Sequence, residues 1–183
     1  DMPCDLGIIN ADVTLDCSDV PVGGLTQVLV MKYEDLTAFT EVDGEVTAVT
    51  IAADKVVDLE FNSKDGYSNF TDEKTVDDSQ IVTAVPTVML EFPKMTLKKR
   101  NALEVLSSSG QDLVIFIETA SGDRHALGLD FGMQGAEVNG KSGAGRSEKN
   151  SYDIKFSGEE TNLARLIDAT TWTTLLTKVK AIV

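Results

Sequence analysis

The chain has 183 residues, a length typical of one domain, with 42% hydrophobic and 25% charged residues. This composition excludes a disordered tail, a collagen-like repeat and a disulfide-dense mini-protein. Sixteen Lys and Arg against 30 Asp and Glu give a formal net charge of −14. No run of residues approaches the roughly 18 consecutive apolar side chains of a membrane span.

The acidic charge is concentrated in the first half of the chain. Residues 1–92 hold 19 acidic and 4 basic side chains, whereas residues 93–183 hold 11 and 12. An acidic surface repels both phosphate backbones and anionic lipids, so we expect neither nucleic acid nor a membrane as an adhesive partner. Two interpretations stay open: a surface that only confers solubility, or one that stays close to nucleic acid without binding it.

Metal-binding and redox side chains are few. Cys4 and Cys17 are separated by twelve residues, and His125 is the only histidine. Two cysteines alone cannot form a structural zinc site, and we expect no metal and no cofactor. Reduced thiols are expected in a cytosolic protein, whereas a Cys4–Cys17 disulfide would stabilise the fold by about 3 kcal/mol. Because the chain opens with Asp1, we expect that preceding residues were removed.

The first half of the chain predicts an arm followed by paired strands. Residues 1–24 are predicted to be irregular because Pro and Gly interrupt their apolar stretches. Leu25–Tyr33 is apolar on both alternating faces, which predicts a strand covered on both sides. Residues 62–80 are polar and acidic and predict a long loop or the tip of a projecting hairpin. Between these segments, with an Asp-Gly turn at 43, further strands are predicted at Val46–Ile51 and Val56–Phe61.

A strand and a helix are predicted next. Ile81–Phe92 is rich in Val and Thr, and Pro86 within it predicts an edge strand or a bulge. Leu97–Leu106 contains no Gly or Pro, and Thr96 is a suitable N-cap. We therefore predict a helix over about 96–108.

The remaining residues predict short strands separated by turns. Strands are expected at Leu113–Glu118, Arg124–Phe131 and Tyr152–Phe156. Residues 132–151 are rich in Gly and Ser and predict a loop. Ala169–Val183 has apolar side chains at helical spacing but also five threonines, so helix and strand both stay open there.

Together these elements predict a mainly β fold: an antiparallel β-sandwich or barrel with one short flanking α-helix and extended terminal arms. The core domain is expected over 25–162, between an N-terminal arm at 1–24 and a C-terminal arm at 163–183. Each arm would need a surface on which to dock.

Three motifs suggest chemistry, and none has the context that this chemistry needs. Gly135–Ser142 satisfies the phosphate-loop pattern G-x-x-x-x-G-K-[ST], but the Gly-rich residues after it cannot begin the required helix, so we predict a hairpin loop. His125 shares an alternating face with Leu127, which predicts a packed side chain and not a general base. The acidic pairs Asp72–Glu73 and Asp77–Asp78 lack calcium-loop spacing. We predict no catalytic residue.

Three stretches have a layout in common with a known family: Gly23-Gly24 before the first strand, the helix at Leu97–Leu106, and Gly128–Gly145 leading to Tyr152–Gly158. Together with the excess of acidic over basic residues, this layout resembles that of the tail tube proteins of long-tailed bacteriophages and of the related haemolysin-coregulated tube proteins of type VI secretion. The resemblance implies rings of six copies whose inner strands join into one β-barrel. It also implies that rings stack into a tube through the terminal arms.

The same resemblance implies a function and partners. The chain would be a structural virion protein, assembled in the bacterial host cytoplasm, whose partners are further copies of itself and other phage tail proteins. DNA would pass through an acidic channel without specific binding. The candidate acids lining this channel, on or beside the strands that flank the long polar loop, are Asp58, Glu60, Asp77 and Asp78.

Two other classes stay open on the sequence. One is a different virion component, such as a capsid decoration or head-to-tail connecting protein. The other is a secreted β-sandwich adhesin, for which a Cys4–Cys17 disulfide would be positive evidence. An enzyme is the third choice, and its best case rests on Gly135–Ser142.

Overall fold

Strand is the dominant secondary structure. The computed structural model describes residues 23–64, 67–76, 81–108, 110–145 and 148–180. Strands account for 52% and helices for 15%, arranged as two sheets and two helices within these ranges. The prediction of a mainly β fold with a short helix is confirmed.

The strands of the described ranges, in chain order, are β1 (Leu25–Lys32), β2 (Leu36–Val42), β3 (Glu45–Ile51), β4 (Val57–Asp58), β5 (Asn69–Val76), β6 (Val82–Pro93), β7 (Leu113–Thr119), β8 (Arg124–Leu127), β9 (Gln134–Lys141), β10 (Ser151–Ser157) and β11 (Arg165–Ile167). The helices are α1 (Leu97–Leu106), between β6 and β7, and α2 (Ala169–Thr177), after β11. The larger sheet has seven strands in the order β2-β3-β11-β8-β7-β1-β4, and the smaller has four in the order β5-β6-β10-β9. Pairing is antiparallel throughout the smaller sheet; β11 and β3 of the larger sheet are parallel.

Strand β1 lies inside the larger sheet and has an apolar cluster on each face. Val28 and Val30 pack toward the four-stranded sheet, in a cluster shared with β6, β7 and β10. Leu29 and Met31 pack on the opposite side, in a cluster that includes Trp172 of α2. All four β1 side chains are almost fully buried, and each such burial contributes about 1.5–3 kcal/mol. The prediction that this strand is covered on both faces is confirmed.

Both helices begin at a side-chain cap. The Thr96 hydroxyl accepts the N–H of Lys99 at the start of α1, and the Asp168 carboxylate accepts the N–H of Thr171 at the start of α2. Where the sequence left helix and strand open for 169–183, Ala169–Thr177 form α2, and Val179 after it makes a single bridge with Val56. Burial of Trp172 and Leu175 on one helical face favours the helix, because both side chains complete the second apolar cluster.

Two segments with loop-like composition contain strands. The polar segment 62–80 contains β5, which pairs with β6 from Asn69 opposite Met89 to Val76 opposite Val82, so this part of the segment is one strand of a hairpin and not a long loop. The prediction of a loop over 132–151 is wrong for β9, which pairs with β10. Both strands are largely exposed and lack a clear apolar alternation. Each is held in the sheet by backbone pairing with a neighbour whose alternate side chains are buried, so its own sequence carries little strand signal.

Pro86 lies in a strand that is paired on both sides, so the prediction of an edge strand is wrong. On one side Pro86 is opposite Asp72 of β5. On the other side β10 ends opposite Thr87, and pairing resumes in the same register where Ala84 and Glu160 exchange N–H···O bonds of 2.8 Å. The missing N–H of proline therefore falls in the interval between these two paired stretches.

A tight turn after β8 brings the chain back against β7. Leu113 and Met133 exchange two backbone hydrogen bonds of 2.8 and 2.7 Å. Gly128 within this turn has φ +78°, and a Cβ there would lie 2.6 Å from the carbonyl oxygen of Leu113. Glycine is required at this position both for the left-handed backbone and for the close approach.

We expect Gly128→Ala to lower the free energy of unfolding by about 2–4 kcal/mol, since the left-handed backbone and the backbone clash add. Gly122→Ala is the matched control, because Gly122 has φ +93° but open space around its Cβ position. The control should lose only about 1 kcal/mol. Urea unfolding followed by the fluorescence of Trp172, the single tryptophan, measures both. Equal losses would contradict the close approach.

Candidate functional site

The four-stranded sheet has one face packed on the core and one face that no described element covers. Along β6, Val88 and Leu90 point into the core, whereas Val85 and Met89 are exposed. Residues that lie opposite each other on neighbouring strands point to the same face, so the registers assign the side chains of β5, β9 and β10 to the core face or the open face. The side chains on the open face, largely polar, are Asn69, Thr71, Glu73, Val85, Thr87, Met89, Glu91, Gln134, Glu137, Asn139, Asp153, Lys155 and Ser157.

Charges on the open face are partly balanced in pairs. Glu91 and Asp153 lie directly opposite each other on neighbouring strands, an arrangement that destabilises a sheet unless it is compensated. Each has its own lysine: Lys149 Nζ is 3.4 Å from Glu91 Oε1, and Lys141 Nζ is 2.6 Å from Asp153 Oδ2. The hydrogen bond and charge of Asp153 raise the pKa of Lys141. The open face is therefore polar and only weakly acidic.

The two edges of this sheet, β5 and β9, have no strand partner on their outer side within the described ranges. The N–H of Ala84 donates to the carbonyl oxygen of Glu160, which lies on the β10 side of β6. Because the direction of the backbone groups alternates along a strand, those of Thr83 and Val85 face β5 instead. Consequently the backbone groups of Lys74, opposite Ala84, point out of the sheet. The same alternation on the far side points those of Val138 outward from β9.

The structure separates two of the candidate channel acids, Asp58 and Glu60, from the open face. Asp58 is in β4, at the edge of the seven-stranded sheet, where its carboxylate accepts a 2.9 Å hydrogen bond from the Gln27 side chain. Glu60 is exposed two residues later. Both line a cleft beside α1. Asp77 and Asp78 lie outside the described residues, as do Cys4 and Cys17.

His125 is packed between the sheets. Its ring centroid lies 5.4 Å from that of Phe70 of β5, and its Nδ1 is buried with no hydrogen-bond partner in the described structure. Burial lowers the pKa of His125 below its ordinary value, because the charged form loses hydration, although Asp123 and Asp72 oppose this effect. These contacts support the prediction of a packed histidine.

The phosphate-loop pattern at Gly135–Ser142 falls on β9 and the residue after it. A phosphate loop needs a strand before it and a helix behind it, but here the pattern itself is extended and paired with β10. A Cβ at Gly135 would lie 2.8 Å from the carbonyl oxygen of Leu106, so this glycine lets α1 approach the strand. Within the described ranges, no group of three or more His, Cys, Asp and Glu side chains could hold a metal ion.

A buried arginine joins three carboxylates, a cluster that the sequence did not predict. Arg165 of β11 is 8% exposed, and its Nη2 lies 2.8 Å from Asp130 Oδ1. Its Nε lies 2.5 Å from Glu41 Oε2 of β2, and its Nη1 lies 3.6 Å from Glu160 Oε2. The cluster ties three distant parts of the chain together. No local spacing could have indicated it, because its members are up to 124 residues apart.

Glu160 is the most buried carboxylate of this cluster, at 4% exposure. Desolvation raises its pKa to about 7, and the negative charge of Asp130 adds to this effect. The backbone N–H groups of Asp130 and Phe131 and the charge of Arg165 oppose it. Burial therefore disfavours the charged form of Glu160.

Comparison with known proteins gives no relative: no family model, no curated protein and no solved structure matches the chain. No helix in the described part of the chain is long and apolar enough to cross a membrane.

We expect Arg165→Met to lower the free energy of unfolding by about 3–5 kcal/mol, because the substitution leaves buried carboxylates without their cation. Arg100→Met is the matched control, since the ion pair of Arg100 with Glu104 lies on the exposed face of α1 and is worth less than about 1 kcal/mol. Urea unfolding at pH 7.5 or above compares the two. A loss below about 1 kcal/mol for Arg165→Met would contradict the structural role of the cluster.

The protonation of Glu160 predicts a pH dependence of stability. Between its ordinary pKa of 4.5 and the folded value of about 7, the folded state holds a proton that the unfolded chain has released. The stabilising contribution of this group is therefore present below about pH 4.5 and is lost as the pH rises through about 7. We expect Glu160→Gln to flatten the decrease in unfolding free energy over this window.

The exposed neighbour Glu159 provides the control, because Glu159→Gln should leave the pH profile unchanged. Urea unfolding at closely spaced pH values measures both variants. Parallel profiles for the wild-type protein and Glu160→Gln would show that Glu160 is ionised throughout the window.

Proposed function

We propose that this chain is a structural subunit that assembles with copies of itself into rings, as in the tail tube of a long-tailed bacteriophage. In this proposal the rings stack into a tube, and DNA passes through the bore without specific binding. The proposal includes no catalytic residue and no cofactor. Its partners are further copies of the chain and other tail proteins, and its location is the virion.

The observation that supports the proposal is the pair of open edges on the four-stranded sheet. An even number of antiparallel strands makes the edge strands β5 and β9 run in opposite directions. When β9 of one copy lies beside β5 of the next, the two strands are therefore antiparallel, and the sheet continues with the same face on the same side. Repetition of this contact can close a ring and leaves no exposed edge.

The open face of the sheet is the surface that would line the bore. Its polar side chains suit contact with water, and its acids suit DNA passage because they repel phosphate. Glu73 and Glu137 are the exposed acids on this face, and they replace Asp58 and Glu60 as candidate channel residues. Glu91 and Asp153 share the face, but their carboxylates are largely covered and paired with lysines. Ion pairs of Lys149 and Lys141 reduce the net negative charge, so repulsion would be moderate.

Blocking one sheet edge tests the ring contact. Lys74→Pro removes a backbone N–H that points out of β5, so the pairing of β5 with β6 should survive while pairing with a second copy is lost. Lys74→Thr is the matched control, because it removes the same charge and keeps the N–H. Negative-stain electron microscopy and light scattering should find rings or tubes for the wild-type protein and the control, and monomers for Lys74→Pro.

A wild-type protein that stays monomeric at high concentration would contradict assembly and favour a capsid decoration protein or an adhesin. Rings that persist in Lys74→Pro, with the fold verified by circular dichroism, would contradict the β5 edge as the contact while leaving assembly intact.

A further inference from the structure

The ring contact described above joins β9 of one copy to β5 of the next, and few registers can form it. The backbone groups of Lys74 and Val138 point out of the sheet, and so do those of Val76 and Gly140, two residues further along each strand. Residues of this kind must lie opposite each other to exchange hydrogen bonds across an antiparallel contact. The register of β9 against β10 shifts at Ala136, so Val138 and Gly140 are the outward residues of the regular part of β9.

Val138 and Gly140 both have a partner within β5 in three registers only. Val138 can lie opposite Asp72, Lys74 or Val76, and Gly140 then lies opposite the residue two positions earlier in β5. A slip of one residue is excluded, since it would turn the core-side side chains to the open face. The three registers therefore differ by steps of two residues, and the side chains that they bring together select among them.

On the open face, the registers differ in the partner of Glu73. In the same order, they place Glu73 opposite Glu137, Asn139 and Lys141. Directly opposed like charges destabilise a sheet, whereas opposite charges stabilise it. Lys141 already pairs with Asp153, but its side chain is 66% exposed, and an ammonium group has three donors, so it can bind both carboxylates. Charge on this face therefore favours the third register.

The side chains on the other face select the same register. Val76 is 64% exposed and Val138 is 38% exposed, although both are apolar. They lie opposite each other in the third register, whereas the other two bring Val138 against the charged side chain of Asp72 or Lys74. Val138 also lines a recess of about 270 Å³ beside α1, next to the edge of the sheet. The valine pair therefore removes apolar surface of both copies from water.

We propose that two side-chain pairs between neighbouring copies set the ring contact in this single register: Glu73 with Lys141 on the open face, and Val76 with Val138 on the other. This inference rests on the proposed function, because it specifies the contact through which the copies join. It makes these four residues the ones that determine which part of β5 recognises which part of β9.

Disulfide formation between copies tests the register. Thr75 of one copy lies opposite Asn139 of the next, and their Cα atoms are about 4.5 Å apart because the backbone groups of both point away from the contact. Both residues are exposed. One variant carries Thr75→Cys and the other Asn139→Cys, each with Cys4→Ser and Cys17→Ser. When the two are mixed in equal amounts, assembled and oxidised, we expect a disulfide-linked dimer on a non-reducing gel and by mass spectrometry.

Two further mixtures in the same background report the other registers. Thr75→Cys with Glu137→Cys detects the second register, and Thr71→Cys with Asn139→Cys detects the first. A slip of two residues moves a cysteine by about 7 Å, beyond the reach of a disulfide. Each of these mixtures, and each variant alone, should therefore give less than about a tenth of the dimer found for Thr75→Cys with Asn139→Cys. Circular dichroism verifies the fold of every variant.

Glu73→Gln provides a readout without cysteines. It removes one ion pair from each contact and should raise the protein concentration needed for assembly about threefold. Glu60→Gln is the matched control, because it makes the same change at an exposed acid outside the four-stranded sheet. The control should assemble at the wild-type concentration, as measured by light scattering.

The outcomes separate the register from the proposed function. A dimer from either of the other two mixtures, in place of the expected one, would overturn the register and leave the β5–β9 contact standing. Rings without a dimer from any mixture would overturn both the register and this contact, while assembly itself would stand. A wild-type protein that stays monomeric would contradict the proposed function and the register with it. Equal effects of Glu73→Gln and Glu60→Gln would overturn the pairing of Glu73 with Lys141.

Discussion

Strand β1 has large apolar side chains on both faces, so the sheet that contains it needs an apolar layer on each side to exclude water. The four-stranded sheet provides one layer. Helix α2, with buried side chains of β3 and β11, contributes to the other. Because one face of the four-stranded sheet is used in this way, its other face and its two edges are left to solvent or to a partner. The surface on which the proposed function rests is therefore a consequence of how β1 is buried.

Charged side chains are likewise divided between the buried interior and the open face of the four-stranded sheet. The cluster around Arg165 is buried where strands from distant parts of the chain converge, so the carboxylates Glu41, Asp130 and Glu160 meet their shared cation only in the folded chain. On the open face, by contrast, each ion pair joins an exposed lysine to a carboxylate that is mostly covered, as in Lys141–Asp153. The net charge of −14 thus does not describe any one surface.

Sequence reasoning succeeded where the signal is local. The two-faced apolar pattern of Leu25–Tyr33 predicted a strand buried on both sides, and the Thr96 cap with an uninterrupted run predicted α1. It failed for β9, because an exposed strand with Gly and charged residues is held by its partner and not by its own composition. It also assigned Asp58 and Glu60 to the channel, which we now propose lies at the four-stranded sheet. Asp58 is instead in β4, a two-residue strand that pairs with β1 at the edge of the seven-stranded sheet, and Glu60 follows it.

The sequence by itself determined the mainly β class, the strand that is buried on both faces, the position of α1 and the overall acidity, since each depends on residue types and their spacing along the chain. Only the tertiary structure decided which strands share a sheet, which acids lie on the open face, and that Arg165 meets three carboxylates. The physical reason is that these features depend on the register between segments up to 124 residues apart. Register is selected by burial of the whole apolar core, which no single stretch of sequence specifies.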